Sequence, residues 1–156
     1  MMLLNFKNYA GVVLPDTSQN IEEKCVSIGL KMTGQRRVIA QVIAAATDHP
    51  DVEMLYKRAS EIDDKISIAT VYRTVKLFEE AGITQRHDFG DGRARYEPAS
   101  DEHHDHLIDI KTGKVIEFTN TEIEVLQHKI AEKLGYKLVD HRLELYAVPL
   151  ENNNKK

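Results

Sequence analysis

Between residues 20 and 82 apolar positions recur at every third or fourth residue, and after Gly82 they alternate with polar ones, so the chain changes from helical to extended patterning. The first helical stretch, residues 20–30 (NIEEKCVSIGL), ends near Gly29. Thr33 can cap a second helix to about Ala46, with the stripe Val38, Ile39, Val42, Ile43 and Ala46. A third follows Pro50 and places Val52, Leu55, Ala59 and Ile62 on one face. Ser67 can cap a fourth, SIATVYRTVKLFEEAG, in which Ile68, Val71, Val75 and Phe78 share one sector; Ala69, Tyr72, Arg73 and Lys76 occupy the opposite one.

Beyond Gly82, ITQRHDFGDGRARYE reads as two short strands about the turn Phe89-Gly90-Asp91-Gly92, with Arg86, Arg93 and Arg95 along it. Helices, a recognition-type helix and a basic hairpin predict a winged helix-turn-helix over residues 20–97. Taken alone, Tyr72, Arg73 and Lys76 read more simply as a solvated helix face. The hairpin arginines bring DNA contact level with that reading, because phosphate contacts need such cations beside a groove-reading helix.

Residues 98–150 predict β-β-α-β. HDHLIDIKTGKVIEF is a hairpin about Thr112-Gly113, TNTEIEVLQHKIAEKLG a helix with the stripe Ile123, Leu126, Ile130 and Leu134, and YKLVDHRLELYAVP a closing strand. The predicted class is α+β, an N-terminal winged helix-turn-helix domain followed by a small α/β dimerisation domain. A unit this small leaves sheet edge or helix face to cover, so a homodimer is expected. Residues 1–19 and 151–156 read as flexible tails.

Charge narrows the picture. The net charge is −4, with thirteen Lys/Arg against fourteen Asp/Glu in residues 1–97 and eight against eleven in 98–156. That balance argues against a surface basic as a whole, and any DNA-binding cations must be placed locally. The single cysteine, Cys25, excludes an intramolecular disulfide and any Cys-x-x-Cys motif, which makes a reducing, cytoplasmic setting the expectation. Asn5, Lys7 and Asn8 interrupt the mildly apolar N-terminus, so neither a signal peptide nor a membrane span is expected.

The chemistry concentrates in EHHDH, residues 102–106. Side chains alternate along a strand, so His104 and His106 point one way while His103 and Asp105 point the other, and one segment can seed two sites. Imidazole with carboxylate suits Fe(II), Mn(II), Zn(II) or Co(II) without choosing among them. A solvated His-rich loop is the alternative; three His and one Asp in four consecutive residues favour metal. Each site needs further ligands from elsewhere in the chain.

GLKMTGQRRVIAQVI, LYKRAS, SIATVYRTVKLFEEAGI, RHDFGDGRARYE, HHDHLI and GKVIEF, in this order and spacing, resemble the ferric uptake regulator (Fur) family over residues 20–148. The resemblance implies a homodimeric repressor, not an enzyme and without a small-molecule substrate, that binds AT-rich palindromic double-stranded operators when charged with a divalent metal. Fe(II) or Mn(II) would be the physiological ion, with Zn(II) or Co(II) able to substitute. It would place Lys31 in a minor groove and Tyr72 and Arg73 in the major groove, with Lys76, Arg86 and Arg93 completing the DNA-contacting set. The regulatory inter-domain metal site would be His49, Glu97, His104 and His106. A second site would be His103, Asp105, Glu124 and His141.

Bland readings stand beside these. His49 could be a loop histidine before Pro50, and Glu97 a solvated hinge charge. Glu124 could complete a capping box with Thr121. His141 alternates with Val139, Leu143 and Leu145, as a core-facing residue would. The chain departs from the commonest family pattern at Asp109 and Thr112, where many members have Cys-x-x-Cys, so ligand count excludes a four-cysteine structural zinc. Peroxide sensors of this layout usually carry Asp at the hinge, where Glu97 stands. Zinc-, manganese-, peroxide- and haem-responsive regulation stay open as alternatives, as does a repressor whose metal is only structural. A metal-dependent hydrolase is disfavoured because no separate general base is found.

Overall fold

A computed structural model of the chain describes residues 17–151. The expected tails, 1–19 and 151–156, lie outside the described residues except for Thr17–Gln19, which open the first helix, and Glu151. The chain forms two compact units that divide between Asp101 and Glu102.

The first unit contains helices α1 (Thr17–Ser27), α2 (Gly34–Ala45), α3 (Val52–Ile62) and α4 (Ile68–Glu80), then strands β1 (Thr84–Asp88) and β2 (Ala94–Pro98). Side-chain oxygens of Thr33, Asp51 and Ser67 accept from the backbone N–H of Arg36, Met54 and Thr70, satisfying orphan donors at the starts of α2, α3 and α4. α1 starts earlier than its apolar pattern suggested and closes through Gly29, whose φ of 77° lets Gly29 N–H reach Val26 O at 3.0 Å and Leu30 N–H reach Cys25 O at 2.8 Å. The buried core takes Ile39 and Ile43 from α2, Leu55 and Ala59 from α3, and Val71, Val75 and Phe78 from α4. Ile62 and Ile68 belong to the predicted stripes yet are exposed, because they stand at helix ends. Burial in this core pushes the Cys25 thiol up, away from reactivity.

β1 and β2 pair antiparallel, with Arg86 opposite Tyr96 and His87 opposite Arg95. Their turn needs left-handed backbone at Gly90 and Gly92. Arg95, expected as one of three basic residues along the hairpin, is buried and donates to His49 O at 3.3 Å and Asp91 Oδ2 at 2.9 Å. It fastens the hairpin to the α2–α3 loop and is no surface cation.

The second unit contains β3 (Asp105–Asp109), β4 (Val115–Phe118), α5 (Thr121–Lys133) and β5 (Glu144–Ala147). The sheet order is β4-β3-β5, with β4 antiparallel and β5 parallel to β3. β5 is far shorter than the predicted closing strand, and Val139 is 92% exposed, so the expected alternation of core residues ahead of it does not exist. Asn120, not Thr121, caps α5 by accepting from Ile123 N–H, so the capping box does not form and Glu124 is left to other partners. α5 buries no residue of its own stripe: Leu126, Ile130 and Leu134 are all exposed. Among the described residues no helix is long and apolar enough to cross a membrane.

Asp109 and Thr112 close the β3–β4 turn together. Thr112 Oγ1 donates to Asp109 Oδ2 at 2.7 Å and Lys111 N–H to Oδ1 at 2.9 Å. These bonds, the hydroxyl first, hold the Asp109 carboxyl below its ordinary value of 3.8. Asp91, beside Arg95, and Asp48, beside Arg58, are lowered in the same way. A depressed carboxylate binds protons more readily unfolded than folded, so the stability it contributes is present above pH 3.8 and is lost as pH falls through the lower folded value. Asp109→Asn is therefore expected to lower the melting temperature at neutral pH and to narrow the loss on acidification. Identical acid-unfolding curves for variant and wild type would count against this role of the turn.

Candidate metal centres and DNA-contacting face

The cluster complete within the second unit combines His103, Asp105, Glu124 and His141. His103 Nε2 lies 2.9 Å from His141 Nε2, 3.2 Å from Asp105 Oδ1 and 3.4 Å from Glu124 Oε1. His141 Nε2 is 3.3 Å from Asp105 Oδ1 and 3.5 Å from Glu124 Oε1. A tetrahedron of ligands at about 2.0–2.1 Å from a first-row ion has edges of about 3.3–3.4 Å, so these spacings already approximate a four-coordinate shell. Asp105 is 1% exposed, and its second oxygen, Oδ2, is buried with no hydrogen-bond partner among the described residues. Burying such a carboxylate is costly unless a cation compensates it, and the two-nitrogen, two-oxygen set fits one. His141, the fourth residue of that predicted set, stands just ahead of β5 with its Nε2 in this cluster, so its alternative reading as a core-facing histidine does not apply.

The other predicted set is described unit by unit. In the first, His49 sits in the loop before α3, buried, with φ at 50°, a left-handed conformation uncommon outside glycine. Its Nε2 is 2.9 Å from Glu97 Oε2, and Glu97 on β2 is also buried. Glu97 is therefore no solvated hinge charge, nor is His49 an exposed loop residue. The other Glu97 oxygen, Oε1, accepts from His87 Nε2 at 2.5 Å. In the second unit the rings of His104 and His106 stand edge to face at 4.9 Å, and His104 Nε2 is 3.9 Å from Glu117 Oε1.

Sequence reasoning missed His87 and Glu117. Glu117 pairs with His106 across β3–β4, a partner that the register implied by the Thr112-Gly113 turn could have revealed. His87 shares a hairpin face with Glu97 as its diagonal neighbour, since His87 opposes Arg95 and Gln85 opposes Glu97.

The residues expected at DNA all lie in the first unit. Tyr72, Arg73 and Lys76 are exposed on α4, and Lys31 is exposed ahead of α2. Arg86 is exposed on β1 and hydrogen-bonds the buried Tyr96, whose phenol burial pushes up. Arg93 is 58% exposed at its side chain yet sits 3.3 Å from Asp51 and 3.7 Å from Asp91. Its charge is thus partly compensated by two carboxylates of its own unit.

A winged helix with exposed cations on its fourth helix and hairpin, followed by a unit bearing histidine–carboxylate clusters, defines a metal-responsive DNA-binding regulator. The chain belongs to the ferric uptake regulator family, whose model matches residues 27–146. It is 60% identical over 141 residues, 90% of this chain and 99% of the relative, to the ferric uptake regulation protein of Rhizobium leguminosarum bv. viciae. A solved structure of a zinc-bound manganese uptake regulator is 64% identical, with a TM-score of 0.76 over 83% of this chain and 98% of that one. The Helicobacter pylori ferric uptake regulator, described as having three functional metal binding sites, is 30% identical, with a TM-score of 0.77 over 86% and 92%. Like its family, the chain is a metal-responsive transcriptional repressor and not an enzyme.

His141→Ala is expected to lower metal bound per chain by one equivalent and to shrink the rise in melting temperature on adding metal. An unchanged stoichiometry would remove His141 from the ligands.

Proposed function

We propose that one divalent ion takes His49 and Glu97 from a DNA-binding domain (20–97) and His104 and His106 from a dimerisation domain (98–150), and thereby switches operator binding on. A second ion is held by His103, Asp105, Glu124 and His141. The observation carrying this reading is the buried His49–Glu97 pair, 2.9 Å apart, on a loop and a hairpin strand of the winged helix itself. Metal bound there acts on the elements that meet DNA. Two protein ligands fall short of a four-coordinate shell, and the histidines of the following domain supply the remainder.

Thymine methyls and base edges of an AT-rich palindromic operator offer partners to Tyr72 and Arg73 in the major groove. Lys31 reaches a minor groove, while Lys76, Arg86 and Arg93 meet phosphates. A palindrome requires two copies, and the exposed apolar side chains of α5 together with Leu145, Tyr146 and Val148 provide a surface for a homodimer. The protein works in the cytoplasm, where its targets are metal-homeostasis genes. Fe(II) or Mn(II) is the physiological ion, and the likeness to a manganese uptake regulator favours manganese. That relative's bound zinc accords with an N/O site open to Zn(II) or Co(II) as substitutes.

Operator affinity titrated separately with Mn(II), anaerobic Fe(II) and Zn(II) tests the switch. At a hundredfold excess of metal over its Kd, linkage strengthens the competent state by about 2.7 kcal/mol, roughly a hundredfold. Equal affinity in excess EDTA would make the metal merely structural. Arg73→Ala is expected to weaken specific operator binding by about 1–3 kcal/mol while metal content stays at the wild-type level. Lost metal binding in that variant would overturn the recognition-helix assignment.

A further inference from the structure

His87 belongs to neither predicted ligand set, yet its side chain is only 12% exposed and its Nε2 meets Glu97 Oε1 at 2.5 Å. A carboxylate only accepts, so Nε2 carries the proton and donates. The ring is stacked on Phe89 at 5.3 Å with a 6° interplanar angle, and Phe89 is itself buried. His49 stands edge-on to both, at 6.0 Å from His87 and 6.3 Å from Phe89. Glu97 is thus held between two imidazoles, one oxygen toward each. Its Oε1 is committed to His87, which leaves Oε2, beside His49 Nε2, as the oxygen presented to an ion.

We infer that His87 is a positioning residue for the metal of the winged-helix unit, clamping one oxygen of Glu97 so that the other is aimed at the ion beside His49. The inference rests on the reading of His49 and Glu97 as ligands. Outer partners of metal-binding carboxylates fix their orientation and affinity in this way. The clamp also reaches the hairpin. His87 and Arg86 are adjacent on β1 and so face opposite sides of the strand, His87 toward Glu97 and Arg86 toward Tyr96. Fixing Glu97 on a bound ion therefore steadies the strand that carries Arg86.

The test compares the full-length wild type with His87→Phe, which keeps a ring against Phe89 without a donor, and His87→Gln, which keeps an N–H donor. Mn(II) affinity, the Co(II) absorption spectrum and the melting temperature are measured on each. His87→Phe is expected to weaken binding of the ion at His49 by about 10–100-fold, leaving the second ion and the Co(II) band positions as in the wild type. His87→Gln is expected to recover most of that loss. Unchanged affinity in His87→Phe overturns the inference. So does shifted Co(II) bands with no recovery in His87→Gln, which would make His87 a ligand. Should His87→Phe not fold, a tenfold or larger loss in His87→Gln alone overturns it. His49→Ala, run in parallel, separates the two failures. If it abolishes the ion while His87→Phe changes nothing, only the positioning role falls; if it too changes nothing, the ligand assignment falls with it.

Discussion

A pleated strand shows successive side chains to opposite faces, and that constraint sends Asp105 and His106, the first residues of β3, to opposite sides of the sheet. His103 and Asp105 go to one side, where His141 and Glu124 join them; His104 and His106 go to the other, with Glu117 nearby. The strands beside β3 must hold one register for this to work. β4 sets Glu117 opposite His106, and β5 runs parallel with Glu144 opposite the same histidine. A slip of one residue would exchange the two faces and dismantle both clusters together. The Asp109–Thr112 turn pins that register at the end of β3.

What the sequence made legible follows from how local each signal is. Caps and periodicity are local, and Thr33, Ser67 and the stripes of α2 and α4 were readable because a helix start and its buried face lie within a few residues. The winged-helix class and the alternation in HHDH were readable for the same reason. Long-range facts were not. His141 obeys an alternating apolar pattern, but the strand that pattern promised begins only at Glu144, and its neighbour Val139 faces solvent. Arg95 reads as a surface cation until the α2–α3 loop is folded over it. The ligand sets themselves came from family likeness: no periodicity links His49 to Glu97, and only the folded hairpin brings them to 2.9 Å.

The apolar stripe of α5 teaches a different lesson. Ile123, Leu126, Ile130 and Leu134 have helical spacing, yet the helix buries none of them within the chain. A pattern that predicts burial is met here by exposure, because amphipathicity records the need for a partner without saying that the partner belongs to the same chain. Ile116, Leu145, Tyr146 and Val148 add to the exposed apolar surface of the same unit. Family members are dimeric DNA-binding regulators, and association of two copies requires a face that one chain leaves uncovered.

In the reading proposed above, ligand chemistry separates the roles of the two clusters. The one thiol, Cys25, is buried in the helical core and belongs to neither cluster, so both offer imidazole and carboxylate, a donor set that suits several divalent first-row ions. An ion whose ligands all lay in one unit, as His103, Asp105, Glu124 and His141 do, would stabilise that unit in every state in which it is folded. It cannot distinguish one arrangement of the chain from another, because a ligand that binds two states equally shifts neither. In the reading proposed above, an ion drawing on His49 and Glu97 as well as on His104 and His106 would bind best where both domains supply those atoms. Its binding free energy would then be a preference among arrangements, which is what a repressor needs if metal is to decide when it holds DNA.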